Sequence, residues 1–342
     1  MKRSTRIILS GMVALFLCAG IAAAQVGTDG NLAFTVSNFQ ADNPPANNPE
    51  PFIIRNRLDS GCCWTASADA MIMSRSGGGS SIIIETPRGE ELLNSNGFNF
   101  SWAAGPRVGI VAEDVCCCCD VEASYFGIDE WSAEKEITVP DGGAFFLFHN
   151  QEALGMPAGN IANFNYISRL HSAEINLRHP VWESLSVLMG FRCVELHEEL
   201  NYISTNPTRH VEIMYLDDNV DNHLYGGQIG MNVAFVNTCR CSIEGVIKAG
   251  VYGNDADLAM VFEQVHLGDK TNHTAVLGEI GLMGIFQVTD HLSARLGYQA
   301  MWLDGIAIAS DQVENVAYSN SKPYMGGTLF YHGATAGFEY AF

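Results

Sequence analysis

Along most of this chain apolar and polar side chains exchange places at each successive residue, the period-two pattern of a β-strand whose two faces meet different solvents. At the C-terminus Ala334, Ala336, Phe338, Tyr340 and Phe342 alternate with Gly333, Thr335, Gly337 and Glu339. Further segments read the same way. Trp64, Ala66, Ala68, Ala70 and Ile72 oppose Thr65, Ser67, Asp69 and Met71. In residues 98–110, Phe100, Trp102, Ala104, Val108 and Ile110 oppose Asn99, Ser101, Gly105 and Arg107, with Pro106 as an interruption, because proline cannot donate to a ladder. Val121, Ala123 and Tyr125 face away from Glu122 and Ser124, and Ala173, Ile175 and Leu177 from Glu174, Asn176 and Arg178. Val187, Met189, Phe191 and Cys193 oppose Gly190 and Arg192. Later, Gly227, Ile229, Met231, Val233 and Phe235 oppose Gln228, Gly230 and Asn232, while Ile243, Gly245, Ile247, Ala249 and Val251 oppose Glu244 and Lys248. Finally Gly278, Ile280, Leu282 and Phe286 oppose Glu279, and Leu292, Ala294, Leu296, Tyr298, Ala300 and Trp302 oppose Ser293, Arg295 and Gln299.

These segments number about ten, with eight or twelve as the neighbouring solutions, and their connections alternate in length. Those after odd strands are long, at about residues 74–96, 129–160, 197–223, 254–273 and 304–326, and His210 to Leu216 is assigned to the third of them. Those after even strands shrink to as little as Thr289-Asp290. Short turns on one side, long loops on the other and an even count predict an all-β fold, a single antiparallel transmembrane β-barrel over residues 60–342. After residue 24 no apolar run approaches the ~18 residues of a spanning helix, so insertion has to use strands.

The N-terminus adds export. Lys2, Arg3 and Arg6 precede an apolar run from Ile7 to Ile21 and the small residues Ala22, Ala23 and Ala24, the pattern of a signal peptide cleaved near Ala24. Residues 25–59, with Pro44, Pro45, Pro49 and Pro51 among asparagines, read as a flexible periplasmic lead-in. Loss of three basic residues with the signal takes the net charge from -20 to -23, which argues against nucleic acid as a partner.

Several segments resemble the planctomycete family of putative beta-barrel porins numbered seven in its series. They are Trp64-Thr65-Ala66-Ser67-Ala68-Asp69-Ala70, Gly105-Pro106-Arg107-Val108-Gly109, Glu122-Ala123-Ser124-Tyr125-Phe126-Gly127, Leu224-Tyr225-Gly226, Leu296-Gly297-Tyr298-Gln299 and Leu329-Phe330-Tyr331-His332-Gly333. The resemblance spans about residues 62–342 and implies an outer-membrane barrel, without supplying a substrate or catalytic residues.

Strand parity places Asp69, Glu122, Glu174, Glu244, Glu279 and Glu339 on the interior with Arg107, Arg178, Arg192, Lys248 and Arg295. These charges nearly cancel, and a barrel of about ten strands is little wider than the ~8-stranded case that side chains fill. The expectation is a paired polar core, leaving at most a narrow porin-like channel for small solutes, or a non-conducting structural or surface-interaction barrel with a plugged lumen. Most remaining acid then lies in the outer connections, as at Asp129-Glu130, Glu198-Glu199, Asp217-Asp218, Asp221, Asp255 and Asp257, with calcium on Asp217, Asp218 and Asp221 as a sharper reading than a solvated coat. Trp64, Trp102, Tyr298, Trp302, Phe338, Tyr340 and Phe342 fall where aromatic rings anchor to a lipid interface, and Phe342 ends a strand of the kind the assembly machinery recognises. Cys62, Cys63, Cys116, Cys117, Cys118, Cys119, Cys239 and Cys241 collect at short-turn ends, where an oxidising periplasm favours disulfides of unassigned pairing over a metal-thiolate cluster; Cys193 is left over. His197-Glu198-Glu199 lacks the second histidine of a zinc-protease helix. A rim hydrolase assembled from Asp217, Asp218, His210 and His223 is the remaining enzymatic reading, below a non-enzymatic barrel without cofactor or metal.

Overall fold

The computed structural model describes residues 64–342 apart from 80, 117–118, 149–151, 209–210, 239 and 316–321. The signal segment, the lead-in, Cys62, Cys63, Cys117, Cys118, Cys239 and His210 thus lie outside the described residues. In chain order the elements are β1 (Trp64–Arg75), β2 (Ile82–Glu85), β3 (Glu91–Asn94), β4 (Ala103–Cys116), β5 (Cys119–Thr138), β6 (Ala144–Phe148), β7 (Glu152–Met156), β8 (Ile161–Trp182) and β9 (Leu185–Asn206). They continue with β10 (Val211–Asn237), β11 (Cys241–Phe262), β12 (Val265–Gln287), β13 (Leu292–Ile306), α1 (Ala309–Asn315) and β14 (Gly327–Ala341). Ten strands form a closed antiparallel ring in the order β1-β14-β13-β12-β11-β10-β9-β8-β5-β4. The first and last seal it, from Thr65 opposite Ala341 to Arg75 opposite Tyr331. Closure leaves no unpaired edge, the condition for strands in hydrocarbon.

Outside, the ring carries the apolar face read from the sequence. Ile72, Val108, Ile175, Met189, Ile229, Val251, Leu282, Leu296 and Phe338 are all exposed, and on β10 the apolar outward stretch runs from Tyr225 to Phe235. That matches the roughly 9–11 residues a tilted strand needs to cross a bilayer. Exposed aromatic rings lie towards both ends of this apolar face. Trp64, Phe338, Tyr340 and Phe342 lie near the short-turn rim and Trp102, Tyr298 and Trp302 towards the long-loop end, all exposed.

Beyond that belt the structure corrects the expected loops. Residues 197–223 and 254–273 are strand for most of their length: β9 runs to Asn206, β10 starts at Val211, and β11 passes to β12 through Glu263 and Gln264. The segment assigned to a loop at His210 to Leu216 is strand from Val211 onward. At ~3.3 Å per residue β10 extends about 90 Å, far more than a membrane requires. The physical reason is an inversion of the amphipathic phase. On β9, Val187 and Met189 face out within the belt, whereas Val194, Leu196, Leu200 and Tyr202, of the opposite parity, are buried inside the bore above it. There the outward neighbours Glu195, His197 and Glu199 meet water.

What fills the upper bore is a second sheet, β3-β2-β6-β7, together with α1. Ile83, Ile84, Leu93, Phe146, Met156 and Val313 from these elements, with Ile308 just before α1, form one cluster with wall residues such as Trp131, Leu200, Leu216, Met260 and Tyr331. Phe146 stacks on Tyr202 at 4.5 Å between ring centres. The second strand therefore begins at Ala103 rather than Phe98. Phe98 turns inward against Tyr166 at 5.1 Å, and Phe100 against the same ring at 5.0 Å, because both rings complete this inner packing.

Candidate functional site

Among the described residues the bore gathers buried charged side chains in two storeys. The lower storey, inside the belt, is ionic. Inward parity sets Glu174 directly across from Arg192, and Lys248 across from Glu279. The Arg192 Nη1 reaches Glu279 Oε2 at 2.6 Å and Glu174 Oε2 at 3.8 Å, while its Nε donates to Ser172 Oγ at 2.8 Å. Lys248 Nζ donates to Glu174 Oε1, which also receives Ser124 Oγ at 3.0 Å. Gln228 Nε2 donates to Glu174 Oε2 and to Asn176 Oδ1, both at 2.7 Å, and Arg107 Nη1 to Gln299 Oε1 at 2.8 Å. Arg192, Lys248, Glu279, Asn176, Gln228 and Gln299 are each at most 5% exposed. Nearer the short turns, Arg295 lies 3.7 Å from Asp69 and 3.5 Å from Glu339, Arg178 3.3 Å from Asp120 and 3.8 Å from Glu122, and Asn232 Nδ2 donates to Glu244 Oε2 at 3.3 Å. Each of the eleven charged positions assigned inward from the sequence thus has a polar partner on another strand.

In the upper storey the organiser is Glu198. Its carboxylate receives Arg75 Nη1 at 2.5 Å, Tyr166 OH at 2.5 Å, Ser168 Oγ at 3.3 Å and the backbone N–H of Ala309, the first residue of α1, at 3.0 Å. Arg75 is fully buried, and Phe100 lies flat beneath its guanidinium at 4.0 Å. Four donors on one buried carboxylate is the arrangement that offsets desolvation of an ion pair. A second clamp holds the chain entering α1: Asn222 Nδ2 donates to Ala307 O at 2.8 Å, and Asn222 Oδ1 accepts from Ala307 N at 2.9 Å. Glu198 and Asp218, read as surface acids, are both buried, which corrects that part of the acidic coat.

Asp217 and Asp218 are consecutive on β10 and so point to opposite faces, and Asp218 is enclosed in the bore while Asp221 stands outside. The calcium trio therefore does not share a face. The same division separates Asp218 from Asp217 and His223, so those three do not assemble a rim hydrolase. On the outer wall the structure instead pairs His197 Nδ1 with Asp221 Oδ1 at 2.6 Å, beside a hollow of about 120 Å³ that Arg169, His171, Glu195 and His223 also line. The hydrogen bond from His197 holds the Asp221 carboxyl below its ordinary value. Neither this pair nor Glu198 was legible as a site, because each lies where the apolar phase has inverted; that inversion is the signal that locates them. Among the described residues no group of three or more histidine, cysteine or acidic side chains is arranged to hold a metal ion. Of the cysteines, Cys119 Sγ lies 3.6 Å from His179 Nδ1, and the Cys193 and Cys241 thiols are free.

A family described as Putative beta barrel porin-7 matches residues 147–332. No curated protein matches the chain by sequence. Among solved structures, the outer membrane protease OmpT from Escherichia coli is similar at 8% identity and a TM-score of 0.46, covering 83% of this chain and 99% of that one. The toluene transporter TodX from P. putida is similar at 9% identity and a TM-score of 0.29, covering 83% and 90%. An anion-selective porin from Comamonas acidovorans follows at 9% identity and a TM-score of 0.17, covering 82% and 98%. The family match extends over more than half of a chain whose strands close into a ring with an apolar outer belt, and the chain belongs to the Putative beta barrel porin-7 family of outer-membrane β-barrels.

Proposed function

We propose that this protein is a non-enzymatic outer-membrane barrel with a sealed bore, which stands in the membrane as a wall and carries a tall polar surface above it, rather than a general diffusion pore. The observation that carries this reading is the burial of the mid-height ionic layer. Arg192, Lys248 and Glu279 are at most 5% exposed, so the bore at their level is filled by side chains instead of water. Any passage of small solutes requires that layer to part, and the narrow porin-like channel stays the second reading on the strength of the family alone. With short turns towards the periplasm, as in barrels generally, the extended strands project outwards. Purified protein in planar bilayers should give no stable conductance. Sustained steps like those of a general porin would overturn the sealed bore and favour the channel.

A further inference from the structure

The two storeys of the bore are closed by different means. In the lower one, charges on neighbouring wall strands pair with each other. In the upper one, a separate piece of chain packs its apolar side chains into the bore and is tied to the wall at several polar points. Ala309 N–H is bound by Glu198, and the Ala307 backbone by Asn222. Both contacts fall within four residues of Gly305, which has φ +79° at the end of β13 and meets the Thr274 carbonyl so closely that no Cβ fits there. A glycine in the left-handed region at the root of a segment is the kind of position that absorbs a swing.

The wall behind this segment carries polar groups that closure leaves unpaired. Both Asp218 carboxyl oxygens, the Tyr331 hydroxyl and Asn254 Oδ1 are buried and meet no protein partner among the described residues. Asp218 sits across from Leu200 and Met260, and Asn254 otherwise bonds Asn222 and the Gly305 carbonyl, so these groups belong to the same upper bore. A buried polar atom without a partner is destabilising, and water would offset that cost if the segment withdrew. Closure is therefore weakened from the wall side, and the two clamps act together with Ser310 N–H on Tyr166 OH, Ile82 N–H on Glu314, Asn315 on Ser81 and the buried apolar packing of Ile308 and Val313.

We propose that Ala307–Asn315 is a hinged outer gate, latched by Glu198 and Asn222, whose withdrawal opens the part of the upper bore it occupies, beside the small sheet, to the exterior as a chamber that ends blindly at the Arg192 and Lys248 layer. The chamber would admit water and small polar solutes from the outer side alone. This rests on the sealed-bore reading but fails separately from it, since gate opening alone creates no through-path.

The test is site-specific thiol labelling of Val313→Cys, a fully buried position on α1, with modification followed by peptide mass spectrometry so that the native thiols are counted apart. In the intact barrel we expect labelling without global unfolding. It should accelerate at least tenfold in Asn222→Ala and in Ala309→Pro, which deletes only the N–H held by Glu198 at a helix position that tolerates proline. Conductance should stay absent in both variants. Heat-modifiable migration reports whether each barrel is folded; if one variant does not fold, the other decides. Labelling that occurs only at the rate of global unfolding, unchanged by either substitution, would overturn the gate. Stable conductance of the unmodified protein would instead strike the sealed-bore reading and leave the gate to be judged by its labelling rates.

Discussion

Asp218 and Asp221 lie on the same strand, one turned into the bore and one out to water, and burial decides their acid chemistry. Enclosure among apolar neighbours pushes the Asp218 carboxyl well above its ordinary value, with Asp217 and Glu198 adding repulsion. An acid raised in the folded state keeps its proton where the unfolded chain has lost it, so stability falls as pH rises above about 4. Asp218→Asn should remove that slope, unfolding at a higher temperature than the unmodified protein at pH 7 and at a similar one near pH 4. Asp221 has the opposite sign. Its lowered value contributes stability above about pH 4 that is lost as pH falls through the folded value, and the half-exposed pair limits the loss in Asp221→Asn to under about 1 kcal/mol. Thermal unfolding over a pH series separates the two, and matching slopes would contradict this account. In the ionic layer, Glu174→Gln leaves Arg192 and Lys248 short of a counter-charge and should cost about 3–5 kcal/mol in denaturant unfolding from vesicles. Replacing Lys248 by Met as well should recover part of it.

Strands here change identity along their length. On β10, Tyr225, Ile229, Met231 and Phe235 face outwards, while nearer its start Leu216, Val220 and Leu224 face inwards, and β11 repeats the change between Val251 and Tyr252. Each half has a clean alternation, but the two are out of phase, so a reader following the outward apolar face loses the strand where the phase slips. Substitutions should respond accordingly. Leu296→Arg, within the belt of β13, is expected to cost about 2–4 kcal/mol and to lower the folded fraction on a heat-modifiability gel. Asn165→Arg, outward on β8 beyond the belt, should change stability by less than about 0.5 kcal/mol. Equal losses at both sites would mean that the membrane border is misplaced. The upper strands are also where the small sheet and α1 pack, so the inner apolar phase and the filling of the bore have one cause.

At the scale of the molecule, the terminal strand closes the ring, with Phe342 N–H donating to Trp64 O at 2.9 Å. Removal of Phe342 should leave a chain able to fold from denaturant but reduce the amount assembled in the outer membrane, as measured by fractionation; undiminished assembly would dismiss the terminal ring as a recognition element. The sequence alone determined a closed antiparallel ring of about ten strands with an apolar outer face, because both follow from the one-residue alternation a bilayer imposes on a strand. It did not determine the height of the barrel or the contents of its upper bore. Where Glu198 meets Arg75 the partners are far apart in the chain, and where Asp218 is buried the neighbours come from other strands. Only the closed tertiary structure brings those groups together, since burial and pairing across a bore are properties of the ring and not of any strand within it.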